Sequence, residues 1–124
     1  MCMLFAIAFG GALGSVARYL VSVQVGQWIG GDFPWGTLAV NVAGGLAMGA
    51  IVQVLGPASS LDLRAFLIVG VLGGFTTFSA FAFDVIALAE RGAVVLAAAY
   101  IGASVGLAVL ALALGMAAVR WLAS

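Results

Sequence analysis

The sequence predicts an all-α integral membrane fold of four transmembrane helices, the third broken at mid-membrane. Three observations carry this. Of the 124 residues, 66% are hydrophobic and 6% charged, with a mean hydropathy of +1.35. A soluble domain could not cover itself with so few polar groups, so the solvent is largely lipid. Four apolar runs, each of about the 20 residues that a bilayer core demands, follow one another with short joins. Finally, the stretch GGFTTFSAFAF, residues 73–83, sets glycines, hydroxyls and phenylalanines where a spanning helix is normally uniform. Residues 1–124 are read as a single four-helix membrane domain without a soluble appendage.

The first helix is expected over about residues 3–25. Its start lacks the positive n-region of a signal peptide and runs straight into a full span, so it is expected to be retained. Cys2 is read as a bland apolar residue. Gly10 and Gly14 form a small-xxx-small pair that lets another helix approach closely. Trp28 and Trp35 flank the following loop, where aromatic rings suit the headgroup level. The second helix, about residues 36–55, holds Thr37 and Asn41 and then Gly44, Gly45 and Gly49, and a Gly56-Pro57 turn ends it. The third starts near Leu61, with Asp62 in its first turn where a carboxylate favours the helix dipole. It runs to about residue 89, before the Glu90-Arg91-Gly92 turn. The fourth occupies about residues 93–122, with Tyr100 and Ser104 in its first half and Arg120-Trp121 anchoring its end.

The four basic residues are Arg18, Arg64, Arg91 and Arg120. They form no basic patch, which argues against nucleic acid as a partner. The chain has no histidine and one cysteine, which excludes His/Cys metal centres and Ser-His or Cys-His triads, so no enzyme is expected. Four spans place Arg64 and Arg120 on the face of the termini, with Arg91 and the deeper Arg18 on the other. Two against two leaves the positive-inside rule without a bias. Insertion both ways up would give a dimer whose two-fold axis lies in the membrane plane. Only mid-membrane residues meet their own copies on such an axis, and the midpoint of residues 64–89 falls between Thr76 and Thr77.

At that midpoint two readings stand together. Gly73 and Gly74 followed by two threonines weaken a helix, and a break at membrane depth needs its freed carbonyls buried, hydrated or bound to an ion. Such carbonyls from two subunits would cage a hard cation. Alternatively, the glycines serve close packing. Phe75, Phe78 and Phe81 recur every third residue, roughly on one helical side. They are either a packing ridge or a set of positive ring edges facing an anion, with Thr77 and Ser79 hydroxyls beside it. Asn41, Tyr100 and Ser104 add amide and hydroxyl donors that can replace water around a small anion. Arg18 and Asp84 lie at similar depth, either as an ion pair or with Arg18 in an anion vestibule.

Three segments then carry a family resemblance. GGALGSVARY (10–19), GTLAVNVAGG (36–45) and GGFTTFSAF (73–81) resemble the signature segments of the CrcB/Fluc fluoride channels, in order and spacing across nearly the whole chain. The resemblance implies a dual-topology antiparallel homodimer in the bacterial inner membrane, with two pores that conduct fluoride passively out of the cytoplasm. It implies that Phe78 and Phe81 contact fluoride, with Asn41, Tyr100 and Ser104 along the path. It also implies a central structural Na+ held by backbone carbonyls of Gly73 and Thr76 of both subunits. Ala80, Ser15, Leu46 and Ala108 depart from residues frequent in the family; Ala108 ends the polar stripe of the fourth helix early. The alternative is a small dual-topology multidrug/proton antiporter, whose chemistry needs an embedded carboxylate that the first helix lacks. A non-transporting assembly subunit explains the glycines but not the polar groups at depth.

Overall fold

The computed structural model describes residues 2–124, all in helices and short turns. The elements are α1 (Cys2–Ile29), α2 (Trp35–Leu55), α3 (Leu61–Arg64), a π-helical segment (Ala65–Leu72), α4 (Gly73–Phe75), α5 (Phe78–Glu90) and α6 (Val94–Ala123). Four spans are long and apolar enough to cross a membrane, the third being Leu61–Glu90 taken whole. This is a multi-pass membrane protein.

Two seams hold the spans together. Along one, α1 packs on the π-helical segment and α4; along the other, α2 packs on α6. Both are made of backbone against backbone. A Cβ at Gly14 would land on the Val71 carbonyl and lie 2.9 Å from the Phe75 nitrogen. On α2, a Cβ at Gly49 would likewise land on the Leu112 carbonyl of α6. The expected Gly10/Gly14 contact is therefore present, and its partner is the third span. Glycine removes the side chains that would hold such backbones apart, which is how helices associate where lipid offers no hydrophobic drive.

Side chains follow a membrane logic. Leu4, Phe5, Leu20, Val95 and Val109 all face outward, and the compact side-chain core gathers Leu38, Phe81, Leu88, Ala97 and Tyr100. At the ends, Gly30 and Gly31 take positive φ values of 71° and 83° and stop α1. Arg91 bonds the Asp32 carbonyl at 3.2 Å and its carboxylate at 3.8 Å, tying two loops on one face. Arg64 donates to the Gly56 carbonyl at 2.7 Å and Arg120 to Gln53 at 3.1 Å, both on the opposite face. The arginines thus divide between the two faces as their order in the chain implies.

One departure from expectation lies in the third span. Its first half is wound as a π-helix, which glycine spacing alone does not announce. The segment is wide where Gly70 meets α1: a Cβ on Gly70 would stand 3.0 Å from Gly10 Cα. The anticipated break is present, and it is short. Thr76 (φ −82°, ψ 158°) and Thr77 (φ −150°, ψ 122°) are extended, between α4 and α5.

Candidate functional site

The break is organised by its own threonines and by one side chain from each neighbouring helix. Thr77 is the N-cap of α5, its Oγ1 accepting from Ala80 N at 3.1 Å. This is the bond that a hydroxyl at an N-cap makes to an otherwise orphan amide. Thr76 turns back instead: its amide and its hydroxyl both donate to the Leu72 carbonyl, each at 3.0 Å. Asn41 on α2 meets Thr77 with both ends of its amide. Its Oδ1 accepts from Thr77 N at 2.8 Å and its Nδ2 donates to the Thr77 carbonyl at 2.9 Å. Gly44, one turn on, leaves room for this, since a Cβ there would collide with Thr76 Cγ2. From α1, Arg18 Nε donates to the Gly74 carbonyl at 3.1 Å.

The carbonyl accounting follows directly. In an unbroken helix Gly73 O would accept from Thr77 N, and Thr76 O from Ala80 N. Asn41 and the Thr77 hydroxyl hold those two donors instead. Among the described residues no side chain donates to the Gly73 or Thr76 carbonyl, whereas Gly74 O is taken by Arg18. Gly73 is itself exposed on the subunit and Thr76 half-exposed. Unpaired backbone acceptors at this depth cannot face lipid.

Beside the break runs a groove of about 430 Å³ whose lining includes Asn41, Thr77, Phe78, Phe81 and Ser104. Five of the residues singled out from the sequence are thus brought together, from three helices. The two phenylalanines lie with ring centroids 5.5 Å apart and planes inclined by 42°, yet their surroundings differ. Phe81 is 8% exposed and Phe78 79%. Phe81 is held by Tyr100, ring to ring at 5.2 Å, and Phe78 stands open on the subunit surface. Among the described residues Ser104 is the buried polar side chain without a match: its Oγ makes no hydrogen bond. A buried hydroxyl left unbonded costs free energy that native proteins usually avoid.

The remaining candidates sit elsewhere. Tyr100 is fully buried behind Phe81, and its hydroxyl donates to Asp84 at 3.0 Å. Ser79 is exposed and approaches only the Thr77 hydroxyl, at 3.4 Å. The extended Thr76 and Thr77 interrupt the three-residue spacing of Phe75, Phe78 and Phe81, which assumes a continuous helix. The Arg18–Asp84 ion pair is not formed, since each group has found another partner. Arg18 lines a second cavity, of about 240 Å³, together with Ser15, Ser22 and Thr37. Thr77 borders this cavity and the groove alike. Sequence reading missed Asp84 as the partner of Tyr100; the two lie sixteen residues apart on different helices, and no local spacing joins them.

Residues 5–116 match the family model described as CrcB-like protein, Camphor Resistance (CrcB). A relative from Rhodospirillum centenum, named a fluoride-specific ion channel FluC, is 53% identical over 97% of each chain. Relatives of the same name from Rhizobium johnstonii are 51% identical over 94% of this chain and 95% of theirs, and from Cereibacter sphaeroides 52% identical over 97% of each. A match across nearly the full length, through all four spans, means that this chain belongs to the CrcB-like family.

Proposed function

We propose that the protein is a fluoride-selective channel that lets F− leave the cytoplasm down its gradient, as an antiparallel homodimer with two pores. The observation that carries the reading is the groove beside the break, with the unbonded Ser104 hydroxyl in its wall. The names of the relatives supply the anion.

Fluoride holds its water tightly, so a path for it must offer donors without a trapping charge. Ser104 has a free O–H. Asn41 uses one Nδ2 hydrogen on the Thr77 carbonyl and keeps a second, since an amide carries two. The hydroxyls of Thr77 and Ser79 share at most one hydrogen between them. Ring edges of Phe78 and Phe81 add positive quadrupole without the desolvation cost of a cation. Several such sites, none of full charge, bind well enough for an ion to enter and weakly enough for it to leave. In this reading Tyr100 supports Phe81 from behind, and Arg18 raises the local anion concentration in its own cavity, the vestibule.

The exposed Phe78 and the unpaired carbonyls of Gly73 ask for cover by protein, which a second, inverted copy would provide. The same carbonyls suit a structural Na+, a hard cation that prefers oxygen ligands. Gly73 and Thr76 of each subunit would hold it, and when bound it would join the two breaks. The bacterial relatives fit a place in the inner membrane. The test is efflux of fluoride from liposomes loaded with it, with and without the purified protein. Fluoride efflux that requires the protein is expected; efflux of a cationic dye driven by a proton gradient, without fluoride efflux, would replace this reading with the antiporter.

A further inference from the structure

We propose that Asn41 and Thr77 are positioning residues for the cation site: they keep the Gly73 and Thr76 carbonyls free by occupying the amides that would otherwise close on them. The inference rests on the cation reading above and gives Asn41 a task besides donating to the anion.

The break is too short to exist without help. Only two residues leave helical geometry, and α4 before them is three residues long. Left to itself, the backbone would gain two hydrogen bonds by closing Thr77 N onto Gly73 O and Ala80 N onto Thr76 O. In a membrane interior this drive is strong, since water is not there to substitute. Each amide meets a side-chain oxygen instead, Asn41 Oδ1 at 2.8 Å and Thr77 Oγ1 at 3.1 Å. For these two amides the exchange keeps the donor satisfied, so the helix stays open at little cost, and it leaves the Gly73 and Thr76 oxygens without the amides that would cover them. Arg18 sharpens the selection. By donating to Gly74 O it withdraws the carbonyl next to Gly73 from the set available to a cation. Asn41 grips the Thr77 carbonyl as well, so both peptide units of Thr77 are held, including the Thr76–Thr77 unit that carries the Thr76 carbonyl.

The positioning role separates from the anion path by readout. In purified full-length protein, sodium binding is followed as the rise in melting temperature when N-methylglucamine chloride is replaced by NaCl at constant ionic strength. Asn41→Ala and the nearly isosteric Thr77→Val are expected to raise the sodium concentration at half-effect by about tenfold or more, the loss of roughly one buried hydrogen bond. Thr77→Ser, which keeps the acceptor oxygen, retains the wild-type midpoint. So does Ser104→Ala, which lies in the groove but touches neither amide. A wild-type midpoint in both Asn41→Ala and Thr77→Val overturns the proposal. Wild-type melting indifferent to sodium overturns it too, and if that protein still passes fluoride the channel reading stands alone. Sodium-dependent melting that shifts as described, in a protein that passes no fluoride, supports the positioning role and defeats the channel.

Discussion

Up to Phe75 the third span is backbone against backbone; from Phe78 onward it is side chain against side chain. The first half lies against α1 through glycine, with Gly10, Gly14 and Gly70 letting main chains touch. The second half meets its neighbours through Phe81, Leu88, Ala97 and Tyr100. Two extended threonines separate the halves. What differs is the chemistry each can present at the centre of a membrane. A half held through its backbone ends in carbonyl oxygens, suited to a cation. A half held through side chains begins with amide and hydroxyl hydrogens and ring edges, suited to an anion.

The contrast can be broken from either side. The largest effect is expected from Gly14→Leu, which drives a side chain into the Val71 carbonyl. Overpacking against main chain that cannot yield should cost about 3 kcal/mol or more, seen as loss of monodisperse protein after detergent extraction. Next is Phe81→Ile, which removes a ring edge and leaves an aliphatic core residue. Fluoride flux should fall on the order of 100-fold, about 2.7 kcal/mol, while the protein still purifies intact. Equal flux in that variant would move the anion away from α5. Ser104→Ala should lower flux about tenfold yet leave melting unchanged or slightly raised, because the hydroxyl it removes is already unbonded. Tyr100→Phe deletes the bond to Asp84 but keeps the ring behind Phe81. A loss of about 1 kcal/mol in stability is expected, with a smaller fall in flux. Arg91→Ala, at an exposed loop pair, should change stability by less than about 1 kcal/mol.

Much of this was legible in the chain, for physical reasons. Lipid as solvent makes apolar runs unambiguous, so four spans and their turns could be drawn from hydropathy and glycine alone. The break could be placed because Gly-Gly-Phe-Thr-Thr weakens a helix where nothing else in the span does. Phe78, Phe81, Asn41, Thr77 and Ser104 are polar or aromatic exceptions at similar depth and line one groove; depth is what the sequence of a membrane helix records. Rotation about the helix axis is recorded less well. The spacing that groups Phe75 with the other rings assumes a continuous helix, which the extended threonines interrupt. Tyr100 packs on Phe81 and Phe33 and lies outside the groove lining, fully buried in the subunit. The π-helical segment has no local signature in the sequence; it lies where α1 packs closest. Arg18 pairing with a carbonyl instead of Asp84 was hidden for a similar reason, because the carbonyl became available only when the helix opened.

The central claim is that uncharged donors and ring edges at the start of α5 select a small, strongly hydrated anion. Its most direct test is fluoride and chloride flux measured in parallel from liposomes of one preparation of the wild-type protein. Fluoride flux with chloride at the level of protein-free vesicles is the predicted result. Comparable flux of both ions, or none of either, would contradict it.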